Sequence, residues 1–215
     1  VWVTTSGGDR WTAVDAQLPA DRWVSRVIAS SHVRDRAYVA LNGYRNDDAT
    51  PYLFASDDLG AHWRGIAKGL PDEAVNVVRE DPVNADVLYV GTDRGVYVTL
   101  DRGASWTALD AGLPNVPVHD LAVHPREREL VAATHGRSMW LVDVLPVQEY
   151  SAVRSEPVHV FPLVAVDAAV GIGADGFQIF AHLVLDPEDI DHNALGRKAE
   201  RGVQNMGGEA CHQEI

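Results

Sequence analysis

Three tryptophans, Trp11, Trp63 and Trp106, are each followed seven residues later by a Leu-Pro pair, at Leu18-Pro19, Leu70-Pro71 and Leu113-Pro114. The tryptophans stand 52 and 43 residues apart, and a register kept over such distances marks a repeated structural unit. After each Leu-Pro come three short runs rich in Val, Tyr and other apolar residues, the composition of half-buried strands. In the middle repeat these are AVNVVRE, VLYVGT and GVYVTL, with SWTAL as a fourth. The preceding repeat has VSRVIAS, AYVAL, YLFAS and HWRGI; the following one has VHDLAVH, LVAAT and SMWLVDV. Four short strands every ~40–50 residues predict β-propeller blades. The expected fold is therefore all-β, with four-stranded antiparallel blades over 1–145, about three of them and N-terminally incomplete. Extra strands leaving the propeller are expected over 146–186, and a polar, partly helical or disordered tail over 187–215.

Between the third and fourth strands lies a recurring octapeptide, SDDLGAHW at Ser56–Trp63 and TLDRGASW at Thr99–Trp106. Each residue type has a structural task. A carboxylate two residues before a glycine accepts hydrogen bonds from its own turn. The glycine takes a positive φ, and the tryptophan offers a broad apolar face with an N–H to donate. The structural set is thus Ser56, Asp58, Gly60 and Trp63, and Thr99, Asp101, Gly103 and Trp106. A degenerate copy, TTSGGDRW, keeps Gly8 and Trp11 but has Ser6 at the Asp position. Serine makes a poor calcium ligand and no catalytic acid, so a motif that tolerates it reads as a turn former. The D-x-[DN]-x-[DN]-G loop of an EF-hand is missing, and no metal site is expected.

Ser56–Trp63 and Thr99–Trp106 resemble Asp-box repeats, also called bacterial neuraminidase repeats, found in sialidases, xyloglucanase-type glycosidases and sortilin-type propellers. The stretches from Trp23 to Trp63, Val75 to Trp106 and Val116 to Asp143 resemble the C-terminal part of large bacterial proteins labelled glycosyl hydrolase or sortilin-like. The resemblance covers about residues 1–145 and implies tandem propellers. It implies less about activity, because a fold does not fix function. No Phe/Tyr-Arg-Ile-Pro motif and no arginine triad of the sialidase kind can be identified.

If these turns close one face, ligands belong on the other, in the loops joining second to third strands and fourth strands to the next blade. Arg45, Asn46, Asp47 and Asp48 lie in a nine-residue insertion there. Thr92, Asp93 and Arg94 hold the corresponding place in the next blade, and His135, Gly136 and Arg137 in the third; His119 and Asp120 open a first strand at the same end. A glycosidase needs two carboxyl groups about 5–9.5 Å apart, so Asp47 or Asp48 with Asp93 is the pair to consider. Arg45, Asn46, Arg94, His119, His135 and Arg137 are the ligand-binding candidates, with arginine suited to a carboxylate or sugar hydroxyls. Exposed charged loops are also commonly no more than solvated.

The formal charge of −13 argues against nucleic acid or an anionic membrane as partner, and no apolar run approaches the ~18 residues of a membrane span. A carbohydrate or a protein is the expected ligand, with no cofactor. The lone Cys211 excludes an internal disulfide. No signal peptide is visible; the resemblance suggests a secreted or envelope protein. Because a closed propeller takes about 4–8 blades, the chain is expected to be a piece of something longer. Weaker patterns are GIGADG at Gly171–Gly176, read as a turn rather than a dinucleotide loop, and Ser138 with His135 and Asp120, which lacks a nucleophile elbow. The stretch containing His182, Asp186, Glu188, Asp189, Asp191 and His192 matches no known metal spacing and reads as a solvated helix start.

Overall fold

The computed structural model describes residues 1–156 and 158–161. Thirteen strands and one helix follow one another in chain order. The first sheet pairs β1 (Trp2–Val3) with β2 (Thr12–Ala13). The next contains β3 (Trp23–Ala29), β4 (Ala37–Gly43), β5 (Asp48–Ser56) and β6 (Arg64–Gly65) in that spatial order. A third sheet repeats it with β7 (Val75–Glu80), β8 (Leu88–Thr92), β9 (Val96–Thr99) and β10 (Thr107–Ala108). The last stops at three strands, β11 (Val118–His124), β12 (Glu129–Thr134) and β13 (Met139–Asp143). Every pairing is antiparallel between sequence neighbours, which makes the sheets the meanders of β-propeller blades. We number the full blades one (β3–β6) and two (β7–β10), and the three-stranded blade three.

The blades stack face to face. Tyr38, Ala40, Leu53 and Ala55 of blade one meet Val75, Val78, Leu88 and Val90 of blade two in one buried cluster. Val77, Tyr89, Val96 and Val98 of blade two meet Val118, Leu121, Leu130 and Val142 of blade three in another. Because side chains alternate along a strand, blade two gives one face to each neighbour, and every residue of its central strand β8 is buried. The first strands of consecutive blades lie side by side at the inner edge. There Asp120 Oδ1 of β11 accepts from Arg79 of β7 at 2.9 Å and from Arg26 of β3 at 2.8 Å. One carboxylate thus ties the inner strands of three blades.

Two expectations change. The nine-residue insertion is not simply a longer loop: β4 and β5 run on to Gly43 and Asp48, closed by a single 3-10 turn, Tyr44–Asn46. Residues just beyond β13, expected to begin extra strands over 146–186, instead form helix α1 (Leu145–Val153). Pro146 sits in its first turn, where a missing N–H costs nothing, and Asp143 accepts from the Leu145 amide at 2.8 Å. A helix of this length is marginal alone; burial of Leu145, Pro146, Val147 and Gln148 fixes it. Asn84 Nδ2 donates to the Gln148 carbonyl, and Gln148 Nε2 donates to Asp81, at 2.9 Å each. The rest of 146–186 beyond Phe161, the tail 187–215, GIGADG and the His182–His192 stretch lie outside the described residues.

Candidate functional site

The acidic octapeptides form closed hydrogen-bonded turns at one end of the blades. In the first of them Ser56 Oγ donates to Asp58 Oδ1 at 2.9 Å and accepts from the Gly60 amide at 2.8 Å, while the His62 amide donates to Asp58 Oδ1 at 2.9 Å. The second repeats this with Thr99, Asp101, Gly103 and Ser105, at 2.7, 2.9 and 2.8 Å. In the degenerate copy Thr4 accepts from the Gly8 amide at 3.0 Å, and Ser6 Oγ accepts from the Arg10 amide at 2.9 Å. Serine there replaces one oxygen of the aspartate. The His62 ring holds the Asp58 carboxyl down to about 2, helped by the His62 amide and Ser56. Burial works against ionisation of Asp101, but hydrogen bonds from Ser105 and Thr99 outweigh it and lower its pKa.

These turns also join blades. Trp63 Nε1 donates to the Val14 carbonyl at 2.6 Å, and Trp106 Nε1 to the Ile66 carbonyl at 2.7 Å. Val14 and Ile66 both lie just after the fourth strand of the preceding blade. A Cβ on Gly60 would fall 2.8 Å from Val14, and one on Gly103 2.8 Å from Ile66, both at a φ of +85°. Glycine is needed there both for its backbone and for the close approach. Gly8 has open space around it, and Trp11 is 55% exposed where Trp106 is 8% exposed.

The opposite end carries the loops singled out for ligand binding. Strands β3, β7 and β11 each have an irregular residue at the same point, with the register shifting across Ser25, Asn76 and His119. Bulges of this kind re-aim side chains and are over-represented beside binding sites. Asn76 and His119 are thereby turned toward the residues that follow the second strands of their own blades, Asp93 and His135, whereas the Ser25 hydroxyl donates to the Val75 carbonyl of the next blade at 2.8 Å. Asn42 Nδ2 donates to Asn76 Oδ1 at 2.9 Å, and Asn76 Nδ2 donates to Asp93 Oδ1 at 2.9 Å. Asn42 Oδ1 in turn accepts from the Tyr44 amide at 2.8 Å. A fixed polar file therefore crosses from blade one to blade two and ends on a half-buried carboxylate. Ser25 and Asn76 were invisible as site residues because the three bulge positions, Ser25, Asn76 and His119, share no residue type, and Asn42 because it lies inside β4.

The other candidates divide. Asp48 is held by Arg22 at 2.7 Å, by the Tyr52 hydroxyl at 2.8 Å and by the Thr50 amide at 2.9 Å. The Thr50 contacts, with Tyr52 and Arg22, hold its carboxyl well below the usual range, so it stays ionised and has no proton to give. Asp47 is an exposed residue in the left-handed region, φ 54°. Asn46 Nδ2 donates to the Asp21 carbonyl at 2.9 Å. Arg45 lies over the Trp23 ring, 5.1 Å from its centroid, with Trp23 64% and Tyr44 73% exposed. Arg94 approaches the buried Glu73 only to 4.0 Å; Arg137 is exposed. His119 and His135 come together, ring centroids 5.5 Å apart. Asp120 faces Arg26 and Arg79, so no Ser138–His135–Asp120 triad forms. Among the described residues no group of three His, Cys, Asp or Glu could hold a metal ion.

No family model matches the chain. A vacuolar protein sorting/targeting protein 10 of Fusarium vanettenii is 29% identical over 110 residues, covering 47% of this chain. The chain is built of repeated β-propeller blades. It spans only 7% of that protein's length. Similar solved structures are a GH74 enzyme of Niastella koreensis and the GH74 xyloglucanase of Xanthomonas campestris. They share 14% and 20% identity, each with a TM-score of 0.45, over 56% and 55% of this chain and 21% and 20% of theirs.

Proposed function

We propose that the chain is part of an Asp-box propeller, in a secreted or envelope protein, that binds a carbohydrate or protein ligand at its loop face. The observation that carries this reading is the Asn42–Asn76–Asp93 file. Two amides and a carboxylate, each fixed by its neighbour, are pre-organised to read hydroxyls or peptide groups with little ordering cost. Trp23 and Tyr44 supply exposed aromatic surface beside the file, and Arg45, Arg94 and Arg137 supply charge at the loop tips. The carboxylates of the turns on the opposite face already accept internal hydrogen bonds, which favours a ligand on the loop face.

A glycoside hydrolase is the alternative of a different class; in it Asp48, held ionised, would serve only as base or nucleophile, and Asp93 would have to supply the proton. The longer protein should be applied to an array of glycans and peptides and assayed for turnover on a polysaccharide panel. Asp47→Asn, Asp48→Asn and Asp93→Asn are then compared with the parent. Binding weakened by Asp93→Asn, with no turnover by any form, is the expected result. Turnover abolished by one of these substitutions would establish the hydrolase instead.

A further inference from the structure

The bulged residue of the first strand and the residue after the second strand are neighbours in blade two, where Asn76 and Asp93 are hydrogen-bonded at 2.9 Å. In blade three the same two positions are both histidine. Their rings lie 5.5 Å apart, centroid to centroid, with planes at 72°. Both residues are exposed, and neither imidazole is hydrogen-bonded or ion-paired among the described residues. We propose that His119 and His135 form a two-histidine half-site for a divalent transition-metal ion of the copper, nickel or zinc class.

Imidazole nitrogen is a preferred donor for these ions and not for calcium or magnesium. A metal–nitrogen bond of about 2.0–2.1 Å puts the ion about 3.2 Å from each ring centre; at a tetrahedral angle the rings then stand roughly 5.2 Å apart. The observed separation needs only a small adjustment to reach that value. The two histidines come from one sheet, the start of β11 and the loop after β12, so the paired backbone sets both side chains off from adjacent points. Asp120, next in sequence to His119, is engaged by Arg26 and Arg79 and is no third ligand. With two protein donors, the remaining coordination positions stay open toward the loop face, where water or an oxygen of a bound molecule completes the shell. Affinity should follow the order copper above nickel and zinc.

The test is calorimetric titration of the whole chain with copper(II) and with zinc(II) chloride in a non-coordinating buffer, alongside His119→Ala, His135→Ala and His62→Ala. Circular dichroism checks that each variant is folded. One ion per chain is expected at this site, with affinity falling by about tenfold or more in either rim variant and unchanged in His62→Ala. Electron paramagnetic resonance of the copper complex should lose one nitrogen donor in each rim variant. Equal affinity in all four proteins, or no uptake by the parent chain at millimolar metal, would overturn the assignment.

Discussion

Blades two and three share one buried cluster yet end differently. Blade two returns through Thr99–Trp106, whose glycine presses on Ile66 and whose indole donates to the Ile66 carbonyl. Blade three has Val142 and Val144 where that turn has its hydroxyl and aspartate, and its chain leaves the sheet as α1. Leu109 follows β10 as Ile66 follows β6: the Leu109 amide donates to the Val96 carbonyl, and the Ile66 amide to the Leu53 carbonyl. Leu109 lies in the cluster that contains Val142, Val144 and Val147. The same inter-blade seam is therefore sealed once by a hydrogen-bonded turn and once by apolar side chains on a helix. The lesson is that the acidic turn is one way of closing a seam, and its carboxylate serves the turn itself.

The comparison is broken most severely by removing the indole. Trp106→Ala should cost about 3–5 kcal/mol, from lost packing and an unpaired Ile66 carbonyl, read as a lowered melting temperature in calorimetry. The same change at the exposed Trp11 should cost under about 1 kcal/mol. Next comes Gly103→Ala, which sets a Cβ against Ile66 at a positive φ and should cost about 2 kcal/mol or more. Gly8→Ala meets open space and should cost about 1 kcal/mol, from its φ of +105° alone. On the helical side, Gln148→Ala leaves Asp81 with one donor fewer and should cost about 1–2 kcal/mol by denaturant unfolding. Equal effects at Gly103 and Gly8 would refute the claim that the seam, rather than the turn, demands glycine.

The smallest effect concerns pH. Asp58 is lowered to about 2 in the folded chain, against about 3.9 unfolded. A depressed carboxylate contributes stability that is complete above the unfolded value and lost as pH falls through about 2. Replacing Asp58 by serine, the residue of the degenerate copy, should flatten the acid dependence of unfolding between about pH 4 and pH 2. An unchanged slope by tryptophan fluorescence would count against the His62–Asp58 pairing.

The blades were legible because strand runs, turn residues and the Trp to Leu-Pro register all repeat, so each copy corroborates the others. Helix α1 was not legible. Val144, Val147 and Val153 favour a strand locally, and the helix depends on contacts with Asn84 and Asp81 some sixty residues away in sequence. Of the rim, Asp93 and His135 in the loops after second strands and His119 in β11 stand out in the sequence by their place in the repeat. Asn42 and Asn76 were missed because a bulge leaves no residue signature and the Asn42–Asn76 bond exists only once two blades are stacked. Asp48 looked available in the sequence because its ionic partner Arg22 lies 26 residues away, just before β3.

The central claim is a division of labour between the two ends of the blades, and one paired measurement tests it most directly. Asp101→Ala and Asp93→Ala are compared for melting temperature and for binding on the same glycan and peptide array. The account predicts that Asp101→Ala melts earlier and keeps its array profile, while Asp93→Ala keeps its melting temperature and loses signal. Loss of array binding in Asp101→Ala at a temperature where it is fully folded would contradict it.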